Sequence, residues 1–373
     1  MGTVQAQKPA LQADMKTMKL TTTGVMIAAL LLAAGCATTS RTTKKPYYFF
    51  PPPPDEPRLQ YLTAFSSERE FRGHEDKSLM TFLTGVRAPE KSFGKPYGAA
   101  TGNKKIYVCD TDLGAVLTVD LQTRRIRGLV PEGEGFLNMP LNITVDTNGD
   151  IYIADAGRNQ VVVFDKNENY VGAIGKTGEL KPRDVVVGKD RIYIADFITH
   201  GIRAYDKGTR EFLFSIPSAG DKTNYDRTII MPTNLALDQE GRVYVADTGG
   251  FRVQVYDGAG NYVRSIGSMG DSPGQFARVK GIAVDREDRL YATDAMSQVT
   301  QIFDAQGRPL TWFGDPAGSA KDKMLPAKVL VDYDDVDFFQ SYAAPGFKVE
   351  YLVMVINQMG DHKLSVYGFG ERK

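Results

Sequence analysis

The chain has 373 residues with 45 basic and 45 acidic side chains, so its formal charge is zero and gives no electrostatic case for nucleic acid. Two cysteines exclude a disulfide framework, and the three histidines, His74, His200 and His362, share no metal-ligand spacing. No CxxCH for covalent haem, no Gly-x-Ser-x-Gly and no phosphate loop is present.

Residues 1–35 have the character of a targeting segment. Lys16 and Lys19 are basic, Val25–Ala34 (VMIAALLLAA) is an apolar run too short to span a bilayer, and Gly35-Cys36 comes next. The stretch before Met15 has no signal character, so the true start is expected at Met15 or Met18. Leu32-Ala33-Ala34-Gly35-Cys36 resembles the lipobox of bacterial lipoproteins, with Ala33 where that pattern usually carries Leu. The resemblance implies diacylglycerol on the Cys36 sulfur and a further acyl chain, such as palmitate, on its amine; several chains together anchor stably. Ala37, rather than Asp, succeeds the cysteine, which in such lipoproteins implies sorting to the outer membrane of a Gram-negative envelope.

Residues 36–57 are expected to be a flexible, Pro-rich linker, because Ser, Thr, Lys and Pro cannot bury a core. Extended as polyproline II it would reach roughly 65 Å. The aromatic run Tyr47–Phe50 is read as packing on the flank of the folded domain, with a membrane surface or partner groove as the alternative. Arg58–Phe65 (RLQYLTAF) reads as a strand with no unit of its own. The segment from Ser66 to Gly85 leads from that strand toward the first repeat, with a short helix expected near Asp76–Leu83.

From Lys95 onward the chain repeats itself. Met231–Gly267 cuts into four runs, Asn234–Asp238, Arg242–Ala246, Arg252–Tyr256 and Tyr262–Ile266, each rich in β-branched and aromatic residues and joined by turn chemistry. One such meander cannot bury both faces, and copies begin at Lys95, Met139, Lys181 and Arg278. The Asp closing the second run recurs at Asp110, Asp155, Asp196, Asp247 and Asp294, 41–51 residues apart. That period with four strands per unit predicts a β-propeller. A sixth unit is read in Leu325–Val331, Lys348–Ile356 and Lys363–Phe369, with an insertion at Asp332–Gly346 and Asn357 in place of the Asp. It lacks a fourth strand, which Arg58–Phe65 would supply. The expectation is an all-β, six-bladed propeller over residues 58–373, its ring closed by an N-terminal strand.

The segments VYVADTGGFRVQVYD and IYIADAGRNQVVVFD resemble the NHL repeat, and the likeness runs from about Tyr97 to Gly314. It implies the propeller fold but no single activity, since that fold hosts both binders and enzymes.

The recurring Asp residues are expected to accept backbone N–H bonds in the turn after the second strand rather than to act in catalysis. Cys109 aligns with Ala154, Ala195, Ala246 and Thr293 and reads as an inert buried thiol. Trp312, in a fourth-strand slot, is expected in blade packing. The informative positions are those that differ between copies. First strands line the channel of a propeller, and theirs begin KPYGAA, MPLNIT, KPRDVV, MPTNLA, RVKGIA and LPAKVL. Tyr97, Asn142, Arg183, Asp184, Asn234, Lys280 and Lys328 are therefore expected at the channel mouth. The loop after each second strand should flank the same face, offering Arg158, Asn159, Phe197, His200, Phe251 and Arg252 to a partner. Arg158 and Arg252 are read as matching positions of blades two and four, and Arg beside Phe suits protein contacts.

Three functions compete. The first is a lipid-anchored interaction scaffold of the envelope, binding a protein partner; the resemblance implies membership of an envelope assembly, in some cases one with multihaem cytochromes. The second is a calcium-dependent hydrolase or lactonase, with Asn142, Asp184 and Asn234 as oxygen ligands. Against it, the central Glu of such enzymes has no counterpart, and Lys280 and Lys328 would repel a divalent ion. The third is a carbohydrate or peptidoglycan binder using Tyr97, Phe197 and Phe251 as platforms. No catalytic residue, metal or other cofactor is assigned beyond that calcium reading. A zinc site like that of the propeller lyase that amidates peptides would need several central histidines.

Overall fold

A computed structural model describes residues 46–73, 91–176, 178–217, 227–316 and 324–372. The expected signal segment, Cys36 and the helix near Asp76–Leu83 lie outside the described residues. Short runs of alternating or wholly apolar residues, punctuated by Asp- and Gly-containing turns, form antiparallel four-stranded sheets in chain order. Blade 1 comprises Pro96–Gly102, Lys105–Asp110, Ala115–Asp120 and Arg125–Leu129. Blades 2 to 5 begin at Pro140–Val145, Pro182–Val187, Pro232–Leu237 and Val279–Val284 and keep the same order outward.

Blade 6 is built from both ends of the chain. Its inner strands are Pro326–Asp332, Phe347–Asn357 and Leu364–Arg372, and Leu59–Phe65 pairs antiparallel with the last of these. The ring closes as expected. A fifth strand, Tyr48–Phe50, pairs outside Leu59–Tyr61, so the folded unit begins at Tyr47, eleven residues before the anticipated edge at Arg58. The aromatic run does pack on the flank: Phe49 meets Phe347 at 5.6 Å and Phe50 meets Phe313 at 6.1 Å.

There is no single core. Six apolar clusters each draw on two neighbouring blades, because a twisted sheet can cover its two faces only with the sheets on either side. Cys109 lies in the cluster between blades 1 and 2, and burial pushes its thiol well above the usual range. After the closing strand a short helix, Glu68–Arg72, capped by Ser67, covers the outer edge of blade 1: the Glu68 carboxylate accepts the Ile126 N–H at 3.0 Å. The insertion in blade 6 folds into a helical turn, Val336–Phe339, whose Phe339 plugs the cluster between blades 6 and 1.

The recurrent Asp is a fastener. Asp155 accepts the N–H groups of Asn138 and Met139, which lead into the first strand, and those of Gly157 and Arg158 in the turn beyond, at 2.7–3.0 Å. Asp110 and Asp294 each repeat the same four-donor pattern. The position four residues on is left-handed in all five blades, at Gly114, Asn159, His200, Phe251 and Gln298. Trp312 departs from its expected place. It is 56% exposed, and its neighbour Phe313 takes the blade interface against Tyr367 at 4.7 Å. Successive residues of a strand face opposite ways, so only one of the pair WF can be buried.

Candidate functional site

The first strands converge on the ring axis, and each carries a β-bulge near its start. Register shifts occur at Pro96/Ala99, Pro140/Asn142, Pro182/Asp184, Pro232/Asn234, Val279/Ile282 and Pro326/Lys328. A bulge sets two residues against one on the partner strand and re-aims the side chains. Both the first and the second residue after the proline position therefore address the channel, in two tiers.

The lower tier is Gly98, Asn142, Asp184, Asn234, Gly281 and Lys328. Lys328 of blade 6 spans the channel to Asp184 of blade 3, Nζ to Oδ2 at 2.9 Å, with both side chains almost wholly buried. Asp184 also accepts the N–H groups of Leu235 at 2.9 Å and Val185 at 2.8 Å. Burial pushes its carboxyl above the usual carboxylate range, and the Lys328 ammonium pulls against that rise. The two glycines make room: a Cβ on Gly98 would collide with Asn142, and one on Gly281 with the Lys328 backbone. Asn142 donates to the Arg183 carbonyl at 3.0 Å, while its Oδ1 and both polar atoms of Asn234 are buried without a hydrogen bond. Asn142, Asp184, Asn234 and Lys328 thus lie a layer beneath the mouth at which they were expected. Below them the channel opens into a cavity of about 210 Å³ lined mostly by Ala, Val, Ile and Leu, with Thr101, Thr144 and Lys328 among them.

The upper tier is Tyr97, Leu141, Arg183, Thr233, Lys280 and Ala327. The small Ala327 lets blades 1 and 5 meet over blade 6, where Lys280 Nζ lies 4.9 Å from the Tyr97 ring centroid. Arg183 stacks on Phe197 at 4.4 Å, and Lys181 approaches the same ring at 5.8 Å. Burial, then the charges of Arg278, Lys95 and Arg183, depress the Lys280 ammonium to about 8. Lys95, Lys181 and Arg278 stand one residue before the proline position in blades 1, 3 and 5, alternating with Met139, Met231 and Leu325 in blades 2, 4 and 6. These three rim cations were missed in the sequence, although aligned KP, MP, KP, MP, RV and LP starts carry the signal.

The second-strand loops flank this face, but their side chains brace the ring. Arg158 donates to the carbonyls of Glu134 and Phe136 at 2.7 Å and covers the Phe136 ring at 4.6 Å, clamping the connection between blades 1 and 2. Arg252 is buried and donates to the Thr228 carbonyl at 3.0 Å. The two are not equivalent, since Arg252 pairs with Asp247 as Gln160, not Arg158, pairs with Asp155. Mutating them together would therefore cost stability, contrary to the expectation of freely projecting loops. His200 Nδ1 hydrogen-bonds the Ile230 carbonyl at 2.8 Å and sits beside Phe197. Phe251, like Asn159, is half-buried in the left-handed turn.

The centre does not suit calcium. Among the described residues its one carboxylate, Asp184, already holds an ammonium on Oδ2, so a divalent ion would sit against a second cation. Among the described residues no group of three or more His, Cys, Asp or Glu is placed to hold a metal.

Residues 137–164 match the NHL repeat, and residues 222–311 match a family described as a 6-bladed beta-propeller. A probable peptidyl-alpha-hydroxyglycine alpha-amidating lyase of Caenorhabditis elegans is 31% identical over 39% of this chain and 45% of its own length. NHL repeat-containing protein 3 of Homo sapiens is 29% identical over 44% of this chain and 49% of its own. The chain thus spans less than half the length of either relative. In structure it resembles a gluconolactonase of Xanthomonas campestris, with a TM-score of 0.54 at 14% identity, over 87% of this chain and 98% of that one. At that identity the likeness shows the fold alone.

Proposed function

We propose that this six-bladed propeller with NHL repeats is a lipid-anchored interaction module of a bacterial envelope, and that its channel-mouth face receives a partner. The observation that carries this reading is the Asp184–Lys328 pair. It consumes the central carboxylate in a structural contact, leaving the channel neither a carboxylate base nor a hard-cation ligand set. The upper tier, by contrast, differs from blade to blade and can recognise an asymmetric ligand. The gluconolactonase-like fold makes a hydrolase the competing reading. The purified protein is expected to show no shift in melting temperature with millimolar calcium and no turnover of lactones. Calcium-dependent lactone hydrolysis by the wild-type chain would replace the present reading with the enzyme.

Anchoring rests on the Cys36 lipobox. Cys36→Ser is expected to release the protein from the membrane fraction and to abolish labelling by a fatty-acid analogue. Retention of that variant on membranes after a salt wash would remove the lipid anchor from the proposal.

A further inference from the structure

The channel mouth concentrates cations that the protein does not neutralise. Lys280 is only 9% exposed, and its ammonium meets the Tyr97 ring rather than a carboxylate. An ammonium withdrawn from water to that extent is costly unless an acceptor or anion meets it. The Arg183 guanidinium carbon lies 4.4 Å from the Phe197 ring centroid, and among the described residues no carboxylate or carbonyl meets its N–H donors. Arg278 and Lys95 add charge at the rim, and among the described residues neither has a salt-bridge partner. Among the described residues the only carboxylate in the tier beneath, Asp184, is spent on Lys328.

We infer that the channel mouth is a binding site for a small multivalent oxyanion, a carboxylate- or phosphate-bearing molecule, gripped by Arg183, Lys280 and Arg278 over the Tyr97 ring. Guanidinium forks and a part-desolvated ammonium bind such groups through charge-assisted, partly bidentate hydrogen bonds. The cations come from blades 3 and 5, with Lys95 of blade 1 beside them, so they surround a group on the axis rather than line a flat surface. The unpaired amide of Asn234, one tier down, is a further buried donor without a protein acceptor. The site stands on side chains within the mouth and does not depend on whether a protein docks on the surrounding face.

The electrostatics supply a pH signature. The groups facing Lys280 are Arg278 on its own strand, Lys95 and Tyr97 from blade 1 and Arg183 from blade 3, with the neutralised Asp184–Lys328 pair below. Burial, and after it these cations, depress the ammonium to about 8 in the free protein. An anion binds the charged form, so affinity should be full below that pH and decline as pH rises through it.

The test is calorimetric titration of the purified protein with citrate and with inorganic pyrophosphate, at low salt, near pH 6.5 and pH 9. Saturable one-to-one binding is expected at the lower pH, and the tighter ligand distinguishes carboxylate from phosphate chemistry. Arg278→Ala, an exposed change, and Lys280→Met should each weaken binding roughly tenfold or more. In Lys280→Met the alkaline decline should flatten, which a merely structural role would not produce. Absence of saturable binding by either anion overturns the inference. So does binding that survives Arg278→Ala undiminished, a variant that leaves the buried tiers intact.

Discussion

Lys328→Met is expected to lower the free energy of unfolding by about 3–5 kcal/mol, the range for breaking one side of a buried ion pair. The variant leaves Asp184, which is 0% exposed, with two backbone N–H donors and no counter-charge. Its carboxyl, already raised by burial, would rise further once the opposing ammonium is gone and would take up a proton to stay inside. Methionine is one atom shorter but keeps most of the volume of the side chain, so the loss measures mainly charge rather than a void. The double variant Asp184→Asn with Lys328→Met should regain much of the stability, because no charge remains uncompensated. Urea denaturation of the two singles and the double completes the cycle. Equal losses that simply add would show that the two residues do not communicate across the channel.

Removing the closing strand should be more damaging still. Residues 58–65 bring Leu59, Leu62 and Phe65 into the clusters that seal blade 6 against its neighbours, and their ladder covers the edge of Leu364–Arg372. The Gln60 side chain also accepts the Ala344 N–H at 3.0 Å. Phe65 alone meets Phe71 at 4.8 Å and is 2% exposed, so Phe65→Ala should cost about 3–5 kcal/mol. Deleting residues 58–65 removes several such contacts and a whole ladder, a loss comparable with the roughly 5–15 kcal/mol that holds an ordinary domain together. It would also sever the strand Tyr48–Phe50, through which the tether joins the ring. The readouts are the melting temperature and protease cutting within Pro326–Arg372. A deletion variant that melts with the wild type would show that blade 6 needs no N-terminal strand.

Much of the site was hidden in the sequence for one reason. Aligned first strands pointed to residues after the proline, but strict alternation would turn one of each consecutive pair away from the axis. The bulge overrides alternation, so Arg183 and Asp184 both reach the channel yet do unlike things, one at the mouth and one in a buried pair. Nor does the sequence show that blades 3 and 6 oppose one another closely enough for a lysine to span them. Arg158 and Arg252 looked like exposed anchors because loops usually are exposed. Here the connections between blades pass beneath them and supply carbonyl acceptors.

By itself the sequence determined the number of blades, the run of strands within them, the fastening role of Asp110, Asp155, Asp196, Asp247 and Asp294, and the closure by Leu59–Phe65. The blades and their Asp fasteners rest on local periodicity and on turn residues whose hydrogen bonds lie within about twenty residues of chain, so a repeat displays them copy by copy; the closure was legible by elimination, since the sixth unit lacks a fourth strand and Leu59–Phe65 is a strand without a unit. Only the tertiary structure decided which side of the outer strand Trp312 occupies, how far the Pro-rich segment folds back, and which charges meet on the axis. Those outcomes depend on residues far apart in the chain, brought together by ring closure, and contacts between different copies leave no pattern within any one of them.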